Sequence, residues 1–240
     1  MACLISGVYD VNRNETLANN NYELVKDWAA SLANASVKGV VFHNNLSEET
    51  CRQHQNKFIS FVKVAYNPQF NPNVYRYFVY KDFMLNQGAN LEHVFMTDIS
   101  DVVLVKNPFI DPFFLSQPTT LFCGDEPKKL NNEWMFAHSE VLRNNIPDYA
   151  FYENEFANNT LLNCGIMGGS APLMLQFITK LCAIHAQANC DNNSAFTGDM
   201  GAFNYLARTQ FNKQLQHGAP VNTVFKLYQQ QRVDCWFRHK

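Results

Sequence analysis

The apolar run His93–Val94–Phe95–Met96 stops at two acids, Asp98 and Asp101, before a second run, Val102–Val103–Leu104–Val105. Asp is a poor strand former, and a buried carboxylate is costly unless it is paired or holds a metal. Two acids closing an inner strand therefore need a setting in which that strand end faces a ligand. Open α/β sheets supply one, in the crevice beyond the carboxyl ends of their strands. The flanking pattern agrees. Cys3–Tyr9 reads as a strand, and "NNYELVKDWAASLANA" then repeats apolar residues at helical spacing: Leu24, Trp28 and Leu32, with Val25 and Ala29 beside them. Gly39–His43 and Phe58–Ala65 are the next expected strands. "NPNVYRYFVYKDFMLNQG" predicts a helix with Asn73 near its start and Gly88 at its stop. Strands alternating with helices imply a mostly parallel sheet with right-handed crossovers.

The second half is less regular. "TTLFCGDEP" reads as a strand running into acids and "LLNCGIMGGS" as a strand running into glycines. Ser170–Ala171–Pro172 opens a helix, with Ser as cap, Pro in the first turn, and Met174, Phe177, Ile178, Leu181 and Cys182 on one face. "GDMGAFNYLAR" starts another. No repeat or linker interrupts the pattern, so residues 1–240 read as one α/β domain with a mixed, mostly parallel central sheet flanked by helices. At 240 residues and 47% hydrophobic, the chain has ample material for a core. A net charge of -2 without basic blocks gives no reason to expect a nucleic-acid partner. The apolar runs fall short of the ~20 residues a membrane helix needs. Seven scattered cysteines point to reduced thiols in a cytosol rather than a disulfide framework or a zinc site. Triplets such as Asn14–Glu15–Thr16 are what an Asn-rich chain contains by chance.

Asp98 and Asp101 are close enough for one to bind a hard cation directly while the other holds a metal-bound water or a ribose hydroxyl. Mg²⁺ and Mn²⁺ prefer oxygen ligands and typically take one or two carboxylates plus substrate phosphates. The plainer alternative is a pair of turn-forming aspartates. Arg76, on the helix leading into this strand, has the fork that suits phosphate or base oxygens, or else pairs with Asp82 or Glu92. Glycine density in "NCGIMGGS" lets backbone approach a ligand, or simply makes a tight turn. Asp125 and Glu126 either hold hydroxyls or are solvated loop acids. Trp134, Phe136 and Tyr152 are either sugar-facing aromatic surfaces or core.

"TDISDVVLVKNPF" resembles the acidic motif of GT-A glycosyltransferases, a strand ending in Asp-x-Asp or a variant and often followed by Asn-Pro-Phe. "NCGIMGG", "GDMGAFN" and "FRHK" are similar to three further segments of that superfamily, in the same order, and with "CLISGVYD" the resemblance runs from about residue 3 to residue 240. The chain departs from the pattern in having Asp-Ile-Ser-Asp for Asp-x-Asp and Met200 where Gln is often found. Its small, Asn-rich form is similar to glycosyltransferase domains of large algal viruses, which would set it in a host cytoplasm.

The resemblance implies a GT-A (Rossmann-like) fold, with residues 1–106 as the nucleotide-binding half and 107–240 as the sugar and acceptor half. It implies transfer of a hexose of galactose or glucose type from a UDP-sugar to a glycan acceptor, with Mn²⁺ or Mg²⁺ as cofactor. Asp98, Asp101 and His239 would hold the metal, His217 being the runner-up histidine, and Arg238 and Lys240 could reach the diphosphate. Val8, Tyr9, Asp10, Arg76 and Asp98 would bind the nucleotide, with Tyr9 flanking the base. Asp125, Glu126, Asn163, Gly165 and Asp199 would line the sugar, and Asp199 would be catalytic in a retaining transfer. Two other readings compete: a degenerate GT-A domain that binds without turnover, and a sugar nucleotidyltransferase, which usually needs a Gly-rich basic loop where this chain has "SGVYDVNRN". The chain ends one residue after His239, which suggests a domain excised from a longer polypeptide.

Overall fold

The computed structural model describes residues 1–10, 15–87, 90–188 and 198–240. The first half runs through β1 (Ala2–Leu4), the paired short strands β2 (Tyr9–Asp10) and β3 (Glu15–Thr16), and α1 (Glu23–Asn34). It continues with β4 (Gly39–His43), α2 (Glu48–His54), β5 (Ile59–Lys63), α3 (Pro72–Gln87), β6 (His93–Thr97) and β7 (Val102–Leu104). Then come α4 (Pro112–Leu115), β8 (Leu121–Lys129), and three short helices, α5 (Glu133–His138), α6 (Glu140–Asn145) and α7 (Tyr149–Glu155). The chain closes with β9 (Thr160–Ser170), α8 (Ala171–Ala188), α9 (Asp199–Gln210), β10 (Leu215–His217) and β11 (Phe237–His239).

Three strands pair in parallel in the order β1-β4-β5, and four more lie in the order β10-β8-β9-β6. The Met1 amine donates to the Phe95 carbonyl at 2.6 Å, and the Thr97 N–H donates to the Met1 carbonyl at 2.9 Å. Bonds from one residue to positions on either side of Met96 follow the parallel pattern, so β1 stitches the two groups into one mixed sheet. Within it, β9 runs antiparallel to both β6 and β8, while β10 runs parallel to β8. The carboxyl ends of β1, β4, β6, β8 and β10 therefore share one edge of the sheet.

Helices cover both faces. On one, Val25, Trp28, Ala29 and Leu32 of α1 pack with Val41, Ile59 and Phe95. On the other, Tyr77, Tyr80 and Met84 of α3 meet Phe177, Ile178 and Leu181 of α8 and Phe203 and Leu206 of α9. Each of these large side chains contributes roughly 1.5–3 kcal/mol by leaving water.

Two local expectations change, and the second apolar run finds its partner. The first strand stops at Leu4 rather than Tyr9. The Ser6 N–H bonds to Asn44 Oδ1 at 2.9 Å, and Gly7 at φ 74° turns the chain, so Tyr9 and Asp10 join a separate strand pair. Val102–Leu104 does not join the central sheet but pairs antiparallel with Phe237–His239. "NCGIMGG" is the continuous middle of an eleven-residue strand rather than a strand ending in a turn. Its Gly168 leaves room for the Phe95 ring, which a Cβ there would overlap. Gly88, the expected stop of α3, lies outside the described residues.

The terminal segment is anchored. Trp236 is fully buried, its ring 5.2 Å from Phe122 and 5.7 Å from Phe114, and its Nε1 donates to Asp111 Oδ2 at 3.0 Å. Lys106 reaches the same carboxylate oxygen at 2.6 Å. Six cysteines are free thiols; Cys190 lies outside the described residues. No helix among the described residues is long and apolar enough to cross a membrane.

Candidate metal centre and adjoining cleft

Three side chains far apart in sequence converge where β6 ends. Asp98 follows β6, Asp101 precedes β7, and His239 ends β11, which the β7 pairing brings alongside: His239 is in register with Val102. Each can offer one ligand atom, and these atoms lie within 4.8 Å of one another. His239 Nε2 is 3.8 Å from Asp101 Oδ2. The terminal backbone locks this arrangement, since the Lys240 N–H donates to the Asp101 carbonyl at 3.0 Å and the His239 N–H to Thr223 Oγ1 at 3.1 Å. His239 is thus a 1%-exposed strand residue, not part of a frayed tail.

Two observations suit this trio to a divalent cation. The donor set, two carboxylates and an imidazole, consists of groups that divalent cations take as ligands. Burial pushes the His239 imidazole down to about 4; Asp98 pulls it up and Arg76 presses it down, so the ring is neutral at pH 7. Neutral imidazole is the form that binds metals. Gly165 completes the cradle. A Cβ there would stand 2.5 Å from Asp98 Oδ2 and 2.8 Å from His239 Cε1, so glycine leaves the space in which the three groups face each other.

Behind the trio is a buried polar network. Arg76 pairs closely with Asp98 Oδ1, and its Nη2 reaches Tyr77 Oη at 3.2 Å, Cys164 Sγ at 3.4 Å and Asp199 Oδ2 at 3.8 Å. The surface pairing with Asp82 or Glu92 is not what forms. Burial alone would lower the Arg76 pKa, but Tyr77, Asp98 and Cys164 outweigh it and the guanidinium is held charged. Arg76 therefore links the metal-side carboxylate Asp98 to Asp199 at the start of α9. Asp199 follows Gly198, whose φ of 68° turns the chain into the helix.

Asn163 and Glu126 are engaged with their neighbours. Asn163 Oδ1 accepts the Gly165 N–H at 2.7 Å, and its Nδ2 donates to Glu126 Oε1 at 2.9 Å. Burial raises the Glu126 pKa while the Asn163 amide pulls it back. Asn163 thus fixes the Gly165 backbone, whose carbonyl accepts the Asp98 N–H at 2.8 Å. Asp125 Oδ2 pairs with His217 Nδ1 at 2.8 Å. His217, the runner-up ligand, stands apart from the trio and is committed to Asp125.

Beside the trio lies a cleft of about 200 Å³. Its walls include Leu4 and Ile5 after β1, Val8, Asn71 and Asn73 at the start of α3, Arg76, and the Asp98–Asp101 turn. Of the nucleotide candidates, Val8, Arg76 and Asp98 line it. Tyr9 does not: it sits in β2, 49% exposed, because the chain turns at Gly7. The Asp10 backbone pairs with Glu15, and its side chain lies outside the described residues. Trp134 is half-exposed and stacks on His138 at 3.7 Å, Phe136 is exposed beneath Arg143 at 3.8 Å, and Tyr152 is core. Arg238 Nη2 donates to the Arg232 carbonyl, and Lys240 Nζ lies 5.6 Å from the Tyr228 ring centroid.

Three contributors lie within the quoted segments without having been assigned a role. Cys164 bridges Arg76 and Asp199, its Sγ 3.6 Å from Asp199 Oδ2. Met200, where an amide was expected, receives the Cys164 N–H on its sulfur at 3.4 Å. Asn204 brackets Leu162, accepting its N–H and donating to its carbonyl, each at 2.9 Å. Alternation along β9 turns Cys164 to the side opposite Gly165, and that is the one signal that could have found it. No protein-family model matches the chain, and no curated protein matches it significantly.

Proposed function

We propose that this chain is a metal-dependent glycosyltransferase of the GT-A type, moving a hexose from a UDP-sugar to a glycan acceptor. The observation that carries the reading is the convergence of Asp98, Asp101 and His239 beside a cleft that starts at the end of β1. A nucleotide in the cleft would meet Val8 and the first turn of α3, and its diphosphate would reach the acids. Asp98, Asp101 and His239 would hold Mn²⁺ or Mg²⁺, which supplies Lewis-acid stabilisation of the departing diphosphate.

The chain's own residues would do the rest. Arg76 fixes the orientation of Asp98 and keeps Asp199 paired, so neither carboxylate would need to move. Asp199, preorganised by Arg76, would stabilise a cation-like sugar in the transition state electrostatically. Asn163 and Gly165 would present backbone to the sugar, Asn163 by fixing the strand rather than by reaching out. Glu126 and Asp125, on the neighbouring strand, would border the sugar from the far side.

Calorimetric titration of UDP with and without Mn²⁺ tests the reading. Expected is Mn²⁺-dependent binding that adenosine diphosphate does not match. Equal affinities for the two nucleotides, or affinity indifferent to Mn²⁺, would overturn it. Binding without sugar transfer across a panel of UDP-sugars would leave a degenerate binding domain.

A further inference from the structure

We infer that His217, aimed by Asp125, is the acceptor-binding residue: its Nε2 receives a hydroxyl of the saccharide acceptor. The inference rests on the glycosyl-transfer reading and deepens it. Asp125 Oδ2 lies 2.8 Å from His217 Nδ1. Where Nδ1–H donates to that carboxylate, Nε2 is the ring nitrogen left to accept. Among the described residues the His217 ring makes no other hydrogen bond, and about a quarter of its side chain is exposed (26%, against 24% for Asp125). Nε2 is therefore an oriented acceptor atom within reach of a dissolved ligand.

The pair is built in. Gly218 follows His217 at φ 72°, and a Cβ there would come within 2.8 Å of Asp125 Oδ2. The Asn222 side chain clamps Asp125, accepting its N–H at 3.3 Å and donating to its carbonyl at 3.2 Å. Asn222 Nδ2 also donates to the Thr223 carbonyl at 2.8 Å, and Thr223 Oγ1 holds the His239 backbone. One short segment thus positions both the dyad and the metal-side histidine.

Placement on the sheet gives the dyad its partner. The strand order is β1, β6, β9, β8, β10, and the dyad closes the parallel pair β8–β10 on the edge where Asp98 closes β6. The cleft lies on the β1 side of the acids and the dyad on the other side, about 14 Å from β6 at strand spacing. A donor with its base in the cleft and its diphosphate at the acids would extend its sugar over β9 and β8. A second saccharide would then approach from β10, where His217 stands.

NMR of the full chain saturated with UDP and Mg²⁺ tests this, with methyl glycosides of glucose, galactose, mannose and xylose as probes. Expected is a shift of the His217 ring resonances on adding at least one glycoside. His217→Ala should weaken that glycoside at least tenfold while UDP affinity stays within twofold, and His217→Gln, which retains an acceptor atom, should recover part of the loss. A purely structural ion pair would instead lower thermal stability and leave glycoside affinity unchanged. That result, or a panel in which no glycoside perturbs His217, overturns the inference. Failure of the wild-type chain to bind UDP with Mg²⁺ would bring down the transferase reading itself.

Discussion

Two carboxylate–imidazole groupings stand on the same sheet edge, and they are built by opposite means. Asp98, Asp101 and His239 come from three elements, and the imidazole among them is 1% exposed and neutral through burial. Asp125 and His217 come from neighbouring parallel strands, bond directly, and remain a quarter exposed. The first has its ligand atoms facing inward across the space that Gly165 leaves open. The second spends one nitrogen on its carboxylate and turns the other outward. Only His239 of the first grouping is buried, since the Asp98 and Asp101 side chains are 30% and 35% exposed. Three groups converging on one space suit an ion, and a local pair with one nitrogen left over suits a ligand that comes and goes.

Removing a carboxylate from the converging grouping should separate the two most sharply. Asp101→Asn is expected to weaken Mn²⁺-dependent UDP binding by more than about 100-fold, beyond the 10–100-fold typical of losing a group that only supports a ligand. The fold should survive, because it is the Asp101 backbone carbonyl, not the carboxylate, that holds Lys240. Titration calorimetry beside a thermal melt checks both halves, and wild-type Mn²⁺ dependence in the variant would remove Asp101 from the site. Asp199→Ala comes next. It should lower turnover about 100-fold, the scale for one preorganised electrostatic group, with UDP affinity nearly unchanged. Near wild-type turnover would reduce Asp199 to a partner of Arg76.

Gly165→Ala probes the cradle itself. The added methyl would press on Asp98 Oδ2, His239 Cε1 and Asn163 Oδ1, the three atoms nearest to it. We expect a loss of about tenfold in metal affinity. Mn²⁺ titration followed by water proton relaxation gives the number, and an unchanged affinity would show that the three groups do not share one ion.

How much of this was legible follows the same division. The first half showed itself because parallel strands and amphipathic helices leave periodic traces: Gly39–His43 was read to the residue, and α1 buries Val25, Trp28, Ala29 and Leu32, while Leu24, the first of the expected repeat, is only partly buried. Asp98 and Asp101 stood out because acids are out of place at the end of an apolar strand. Tyr9 misled because a turn at Gly7, set by hydrogen bonds from Asn44 and Asn45 to Ser6, is non-local information. Arg76 was visible as a cation near the site, but its partners were not, since Asp199 lies 123 positions further on. The Asp125–His217 pair was invisible as a pair. Each residue read singly was a loop acid or a spare histidine, and only the pairing of β10 with β8 joins them.

A third imidazole extends the contrast to one with no hydrogen-bond partner among the described residues. His185 in α8 is fully buried, neither ring nitrogen has a hydrogen bond among the described residues, and its ring stacks on Tyr77 at 5.6 Å and 17°. Burial pushes it down to about 4, with Asp199 pulling it up and Arg76 pressing it down. An unfolded histidine titrates near 6.5, so as pH falls from about 6.5 towards 4 the unfolded chain takes up a proton that the folded chain refuses. Stability from this group is full above about 6.5, declines through that window and levels off below it. His239, His138 and His43 are also lowered and add to the decline, but they cancel when wild type is compared with a variant at one position. His185→Phe keeps a ring against Tyr77 and removes the proton site. Relative to wild type it should gain about 1 kcal/mol between about pH 7.5 and about pH 5.5, measured as the difference of urea-unfolding free energies. Parallel pH profiles for the two proteins would mean that His185 takes its proton as readily in the folded state, through local opening of α8 or access of water to the ring.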